Sequence, residues 1–359
     1  MTTKNSTKEK KTVPISKKPT LTFNPKQVSK RLLGVLSERA RDVLVKRYGL
    51  GDKSKRMTLE SIGSLYGITR ERVRQIENYA LASIRKSEGY AKEIPIFNEL
   101  KEEVLFFGAI VSEQEFLEYL SKDQSMQNHF HFLLVVGEAF EKRREDEHFT
   151  HRWHVDHQVA GRIEVALKKL YSDLSDEDLI SEAEMIASFL EHVKDLSDHY
   201  LNEEMVKRWL AISKKIGRNP LGEWGPTSSA NITPKGIRDY AYLAIRQHGS
   251  PLHFTEVSRR IAELFEKKAH TATTHNELIK DSRFVLVGRG LYALTEWGYV
   301  EGVVRDVIKK ILNENGPLTK EEIIDKVLKE RYVKPNTILV NLQDVKYFVK
   351  NSDGTYSLV

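Results

Sequence analysis

The sequence predicts a mainly α-helical chain of several domains: an N-terminal helix-turn-helix, followed by helical and winged-helix domains that each include a small β-hairpin. Its length of 359 residues exceeds that of one compact domain. Apolar residues recur at three- and four-residue steps over most of the chain, as is typical of amphipathic helices. Residues 284–294 and 348–358 share the pattern F-V-x-x-x-x-G-x-Y-x-L, which predicts a β-hairpin in each because a glycine permits the tight turn.

Composition shifts along the chain divide it into seven predicted segments. Arms and linkers are polar or rich in Gly, Pro and Ser, whereas domains carry apolar periodicity. In chain order these are a disordered basic arm (1–27), a helix-turn-helix domain (28–90), a helical or winged-helix-like domain (96–158), a helical region (159–216), a linker (217–234) and two winged-helix-like units (235–299 and 302–359). Residues 91–95 are predicted to link the first two domains.

The two C-terminal units repeat each other beyond their hairpins. GSPL at 249–252 matches GPL at 316–318, and an amphipathic helix follows each. Thr319 and Glu322 have the spacing of a helix capping box. Each unit is therefore predicted to run helix, turn, helix, helix, hairpin, which is the order of a winged helix. A fainter copy of this pattern is predicted at 98–155.

Charge and composition exclude several classes of protein. The chain has no cysteine, which excludes disulfides, thiolate catalysis and cysteine-ligated metals. The first residues lack the apolar core of a signal peptide, and no apolar run approaches a membrane span, so we expect a cytoplasmic, nucleoid-associated protein and no membrane partner. Residues 1–92 carry a net charge of +14, while the whole chain carries +6. A basic head on an acidic body indicates a polyanionic partner.

Residues 58–86 have the local pattern of a helix-turn-helix. Thr58 is a good N-cap for a short helix, and Gly67 permits the left-handed backbone of a tight turn. Thr69 is a good N-cap for a second helix, in which Val73, Ile76, Ala80 and Ile84 recur on the inner face. The second helix of such a motif enters the DNA major groove with its first turns against the bases.

The outward side chains of this second helix suit base recognition. Arg70 can donate two hydrogen bonds to guanine, Gln75 can pair with adenine, and Glu71 can accept from cytosine N4. A carboxylate that faces phosphates is unfavourable unless it contacts a base, so Glu71 is the most informative of the three. The alternative is a solvated amphipathic helix in a helical bundle.

The stretches LSERARDVLVKRYGL (36–50) and TLESIGSLYGITRERVRQIENYALASIR (58–85) resemble region 4 of the sigma-70 family. The resemblance implies binding to the promoter minus-35 element in double-stranded DNA and to the β flap of bacterial RNA polymerase. By position, Arg70, Glu71 and Gln75 read bases. The residues that the resemblance and the outward face assign to the DNA backbone are Arg39, Arg47, Thr58, Leu59, Arg72, Arg74 and Asn78, of which Arg72 and Arg74 alternatively meet activators.

The position of this motif departs from the family pattern. In a conventional sigma factor, region 4 lies at the C-terminal end, and the domain that melts the minus-10 element lies far upstream. Here a short basic arm precedes the motif. We therefore expect a factor that adds a promoter contact, assists another sigma factor or regulates transcription, and does not open promoters alone.

The unit at 232–299 resembles the HARE-HTH domain, a winged helix also found in the delta subunit of some bacterial RNA polymerases. The resemblance rests on SPLHFTEVSRRI (250–261), THNELIKDSRFVLVGRGLYAL (274–294) and Trp297. It implies a link to transcription. Since Glu277 and Asp281 dilute the charge around Lys280, protein contact is favoured over a second specific DNA site.

Two other classes of function stay open from the sequence. The first is a polymerase-bound adaptor, similar to the delta subunit, that touches DNA weakly. The second is a metal-dependent enzyme built on the clustered histidines 129, 131, 148, 151, 154 and 157. Without a carboxylate pattern beside them, these are better explained as surface and hairpin histidines. No phosphate-binding loop occurs, and we expect no catalytic residue, cofactor, metal or small-molecule ligand.

Overall fold

The computed structural model describes residues 21–51, 55–196, 202–299 and 303–359. Within these ranges the chain is mainly α-helical, with sixteen α-helices and four small antiparallel sheets of two or three strands, as predicted. It divides into two compact units. Of the described residues, the first unit comprises those up to Gly217 together with Trp224–Thr227, and the second comprises Arg218–Glu223 and those from Ser228 to Val359.

Four helices open the first unit: α1 (Pro25–Leu33), α2 (Glu38–Tyr48), α3 (Leu59–Tyr66) and α4 (Arg70–Arg85). The predicted disordered arm (1–27) is wrong for residues 25–27, which form the first turn of α1. Residues 1–20 of that arm lie outside the described ranges. Asn24 caps α1 through its side chain, which accepts from the backbone N–H groups of Lys26 and Gln27. Phe23 packs edge-on against Phe130 at 6.2 Å between ring centroids, which fixes the chain just before the helix.

Helix α5 (Glu88–Phe106) replaces the linker that the sequence predicted at residues 91–95. Ser87 caps it by accepting from Tyr90 N–H at 3.1 Å. Pro95 lies on the exposed side of the helix, where solvent reaches the carbonyl that loses its N–H partner. The opposite side buries Phe97 and Leu100, so the packing of that side outweighs the cost of the proline.

A sheet and two helices follow α5: β1 (Ile110–Ser112), α6 (Glu113–Leu120), α7 (Gln124–Val136), β2 (Glu141–Arg143) and β3 (Arg152–His154). The strands form an antiparallel sheet in the order β1-β3-β2. Val111 lies opposite Trp153, and Glu141 lies opposite His154. The order helix, strand, helix, helix, hairpin agrees with the faint repeat at 98–155.

Helix α7 packs against α1, α2 and α4, so the predicted helix-turn-helix domain shares one core with the segment that follows it. Arg85 at the end of α4 donates to the last carbonyls of α7, Val135 O at 2.7 Å and Val136 O at 3.0 Å. Asn128 of α7 donates from Nδ2 to Gly49 O at 3.0 Å. The predicted boundary between residues 90 and 96 therefore does not separate two cores.

A second core of the first unit lies among α8 (His157–Ser172), α9 (Glu182–His192) and α10 (Glu203–Leu210). Trp209 is fully buried there and packs against Phe189 at 5.9 Å. The stretch 217–234, predicted as a linker, contains strand β5 (Trp224–Pro226), which pairs with β4 (Ile216–Arg218). Trp224 joins this second core and exchanges two backbone hydrogen bonds with Ile180, at 2.7 and 2.8 Å.

The second unit contains the two predicted repeats. The first consists of α11 (Ile237–His248), β6 (Leu252–His253), α12 (Phe254–Phe265), α13 (Thr271–Lys280), β7 (Phe284–Gly288), β8 (Leu291–Leu294) and a 3₁₀ turn (Thr295–Trp297). The second consists of α14 (Val304–Asn315), α15 (Lys320–Glu330), α16 (Pro335–Leu342), β9 (Phe348–Lys350) and β10 (Tyr356–Leu358).

The sequence repeat corresponds to a repeated strand register. Leu252 pairs with Tyr292 in the first repeat, and Leu318 pairs with Tyr356 in the second. Each hairpin then closes between the Phe and the final Leu of the shared pattern. Among the described residues, no helix combines the length and apolarity needed to span a bilayer.

Candidate nucleic-acid interface

Two threonine caps and two glycines shape α3, α4 and the turn between them. Thr58 accepts from Ser61 N–H at 3.1 Å, and Thr69 accepts from Arg72 N–H at 3.2 Å, so each helix begins on a capped N-terminus. Gly67 ends α3 in the left-handed conformation at φ +64°, as the sequence predicted. Gly63 permits close contact, because a Cβ there would lie 2.6 Å from Ile68 O.

The inner face of α4 fixes its angle against α2 and α3. Val73 is fully buried with Ile62 of α3 and Val43 of α2 in a small core. Ala80 and Ile84 are fully buried in the main core of the unit, and Ile76 is half-buried. The predicted inward face is therefore correct, and it leaves the opposite side of α4 open.

The three predicted base-reading side chains, Arg70, Glu71 and Gln75, are all exposed in the first half of α4. Arg72, Arg74 and Asn78 are exposed around them. The N-terminal turns of the helix thus present three arginines that donate, one carboxylate that accepts, and the amides of Gln75 and Asn78, which can do both.

Two side-chain pairs organise this surface. Arg74 donates to both carboxylate oxygens of Glu71, from Nε at 2.8 Å and from Nη2 at 2.6 Å. The hydrogen bonds from Arg74 hold the pKa of Glu71 below its usual range, which keeps the carboxylate an acceptor. Arg72 donates to Gln75 Oε1 at 3.0 Å, and the Gln75 side chain also hydrogen-bonds to Glu71 and contributes to its lowered pKa.

The predicted backbone-binding residues on α2 and α3 differ in their surroundings. Arg39 is exposed and lies 6.0 Å from the ring centroid of Tyr66. Thr58 is exposed as the cap of α3, whereas Leu59 is half-buried against the small core. Arg47 is half-buried and donates to Met57 O at 3.0 Å, which ties the chain before α3 to α2.

Sequence reasoning missed a buried acid beneath this interface. Glu77 is 8% exposed and accepts from Tyr48 OH at 2.8 Å, with Arg47 Nε 3.4 Å away. Burial, then the negative charge of Glu77, raises the pKa of Tyr48, so its hydroxyl stays a donor. A signal was present, since position 77 falls on the same helical face as Val73 and Ala80.

The clustered histidines are not all surface or hairpin residues. His129 and His131 lie on helix α7 and are buried, which corrects that expectation for both. His131 lies 3.5 Å from the carboxylate of Glu113, which also accepts from Lys142 at 2.5 Å. His148 and His151 lie between β2 and β3, His154 is buried on β3, and His157 is exposed at the first position of α8.

Helices α3 and α4 therefore form a helix-turn-helix whose second helix leaves its N-terminal half open. Residues 32–86 match the family model described as sigma-70, region 4. This segment is a sigma-70 region 4 domain, as its sequence predicted.

Curated relatives match a stretch of this chain of about the same length. RNA polymerase sigma factor SigA1 of Synechococcus elongatus is 56% identical over 54 residues, which are 15% of this chain and 13% of that protein. RNA polymerase sigma factor SigA of Nostoc sp. is 53% identical over 55 residues, 15% of this chain and 14% of that protein. SigA from Bacillus sp. is 50% identical over 54 residues, again 15% of this chain and 14% of that protein. The chain thus spans about one seventh of the length of these relatives.

Proposed function

We propose that this chain is a sequence-specific, sigma-like DNA-binding factor that recognises a promoter element of the minus-35 type and contacts RNA polymerase. The observation that carries the proposal is the open N-terminal half of α4 within a sigma-70 region 4 domain. In this proposal α4 enters the major groove, with Arg70, Glu71 and Gln75 at base edges.

The charges around α4 support this docking mode. Arg39, Arg72 and Arg74 are exposed on the same domain and suit contacts to phosphates. The free N–H groups at the capped start of α3 favour a phosphate at Thr58 and Leu59. Because Arg47 holds Met57 O, its proposed contribution is to position that helix start as well as to add positive charge.

The two side-chain pairs on α4 set how the bases are read. Arg74 holds the Glu71 carboxylate in a bidentate contact, and Gln75 also bonds to it. Because a carboxylate offers about four lone-pair directions, a cytosine amino group can still donate to it. Full bidentate pairing of Gln75 with adenine requires Arg72 to release Oε1 and the amide NH₂ to leave Glu71.

The second unit supports a link to the transcription machinery. Its two repeats run helix, strand or bridge, helix, helix, hairpin, and we interpret them as winged helices, the first of the HARE-HTH kind. In both repeats the third helix exposes an aliphatic side chain, Ile279 at 62% and Val340 at 59%. Glu277 and Asp281 also dilute the positive charge around Lys280, which favours protein contact over DNA contact for the third helix of the first repeat.

A selection experiment tests the proposal. The full chain is incubated with a random duplex library, and the selected sequence is then measured by fluorescence anisotropy against competitor DNA. Arg70→Ala and Gln75→Ala should each cost about 1–3 kcal/mol on the selected site and relax preference at one position. Lys169→Ala removes an equal charge from the exposed side of α8, outside the helix-turn-helix, and should leave the preference unchanged.

A salt series separates the two kinds of contact. Affinity should fall steeply with salt because phosphate contacts release counterions. Arg39→Ala should reduce the slope of log affinity against log salt by about 1 without changing sequence preference. Equal affinities for all duplexes, in the chain and in both α4 variants, would contradict base reading.

The exposed aliphatic residues of the second unit favour a second candidate, a polymerase-associated adaptor related to the delta subunit. An adaptor binds core RNA polymerase and shows no sequence preference on DNA alone. Ile279→Asp and Val340→Asp should then weaken co-purification with core polymerase while DNA binding stays unchanged. A sequence preference that requires Arg70 and Gln75 without polymerase present would instead support the promoter reader.

A further inference from the structure

Three side chains able to bind a metal meet where the β2–β3 hairpin reaches helix α8. Glu141 lies directly opposite His154 in the antiparallel register, so both side chains leave the same face of the sheet. His157 is the first residue of α8. Glu141 Oε2 lies 3.6 Å from His154 Nε2 and 3.9 Å from His157 Nδ1, and the three atoms lie within 4.8 Å of one another.

The separations fit a metal site better than a hydrogen-bonded cluster. Both distances exceed those of hydrogen bonds, so only long ion pairs, which require protonated histidines, join these groups without a metal. Metal bonds of about 2.0–2.1 Å in tetrahedral geometry place ligand atoms roughly 3.3 Å apart. Small rotations of the Glu141 and His157 side chains, which are 67% and 76% exposed, would shorten the observed distances to those between metal ligands. The His154 side chain is only 2% exposed and stays fixed.

The neighbouring Arg143 identifies which nitrogen of His157 has a lone pair. Its Nη2 lies 3.4 Å from His157 Nδ1, and a guanidinium only donates hydrogen bonds. Nδ1 is therefore the unprotonated nitrogen, and it is the one that faces Glu141. Glu164 accepts from Arg143 Nη1 at 2.5 Å, which compensates the positive charge beside the cluster.

We propose that Glu141, His154 and His157 bind a divalent transition-metal ion of the zinc class, with water in the remaining position. Two imidazoles and one carboxylate are the donor set that such ions prefer, and three protein ligands leave one tetrahedral position free. The bound ion ties the β2–β3 hairpin to the start of α8. This site is independent of the DNA-binding proposal and differs from our sequence-based expectation because its carboxylate comes from a separate strand.

The test is a titration of the full, tag-free, metal-stripped chain with Co²⁺ and with Zn²⁺. We expect one ion per chain, an intense visible Co²⁺ absorption typical of tetrahedral coordination, and a melting temperature that rises with Zn²⁺ concentration because the ion binds the folded state. Glu141→Gln and His157→Ala change exposed side chains, and each should weaken binding by more than about tenfold. Circular dichroism of both variants without metal should match that of the parent chain.

Two further variants control the assignment. His151→Ala removes another histidine of the same hairpin, 48% exposed and outside the cluster, and it should keep the full affinity. Arg143→Gln removes the competitor for His157 Nδ1 and should tighten binding. Absence of a tetrahedral Co²⁺ signal, unchanged affinity in both ligand variants, loss of binding in His151→Ala, or weaker binding in Arg143→Gln would each overturn the proposal.

Discussion

Gly63 provides the sharpest test of how the helix-turn-helix is built. In Gly63→Ala the new Cβ would lie 2.6 Å from Ile68 O, which is closer than real Cβ atoms approach a backbone oxygen. The contacted atom belongs to the backbone of the turn, so α3 and the start of α4 must separate. Overpacking of this kind costs about 1–3 kcal/mol, which corresponds to a roughly 5- to 150-fold larger open population of the motif.

Two other glycines provide controls, because neither would bring a new Cβ into close contact. Gly67 has φ +64° and open space around its Cβ position, so Gly67→Ala should cost about 1–2 kcal/mol through backbone strain alone. Gly161 lies inside α8, has open space around its Cβ position and does not have a positive φ. Gly161→Ala should therefore stabilise the chain by about 0.4–1 kcal/mol.

Hydrogen exchange detected by mass spectrometry measures these effects locally. Amides of α3 and α4 should exchange faster in Gly63→Ala and Gly67→Ala, whereas those of α8 should be slower in Gly161→Ala. The same Gly63→Ala chain should lose DNA affinity, because α4 can no longer hold its angle. If α3 and α4 exchange at the parental rate in Gly63→Ala, the close contact with Ile68 O is not a constraint and the reasoning is refuted.

Three further outcomes follow from contacts in the first unit. Arg85→Ala should lower the free energy of unfolding by about 1.5–3 kcal/mol, because the last carbonyls of α7 lose a charged donor. Urea denaturation measures this change, and an unchanged midpoint would show that these hydrogen bonds do not stabilise the chain. Burial raises the pKa of Glu113, but hydrogen bonds from His131 and Lys142 outweigh it and hold that pKa well below its usual range. The resulting stability is present above the unfolded value of about 4.3 and is lost as pH falls below it, so Glu113→Gln should flatten the acid side of the melting-temperature curve. Tyr48→Phe should destabilise the chain by about 1–3 kcal/mol, because buried Glu77 loses the hydrogen bond that the Tyr48 hydroxyl donates. Equal stability of the variant and the parent chain would show that water replaces the hydroxyl.

Local patterns predicted the elements that depend on neighbours in sequence. The caps at Thr58 and Thr69, the left-handed Gly67 and the inward face of α4 all follow from side chains within a few positions of one another. The paired hairpins of the second unit were also visible, because a strand register needs only alternation and a turn glycine. The match to sigma-70 region 4 was recognisable for the same reason: its residues are contiguous.

By itself the sequence therefore determined the mainly helical class, the helix-turn-helix and the repeat of the second unit. The tertiary structure decided what depends on distant residues: α7 covers the core of the helix-turn-helix, α5 continues through Pro95, and Trp224 packs into the second core. It also brought Glu141 opposite His154. The physical reason is that burial is shared among segments far apart in the chain, and no local periodicity specifies which apolar face covers which.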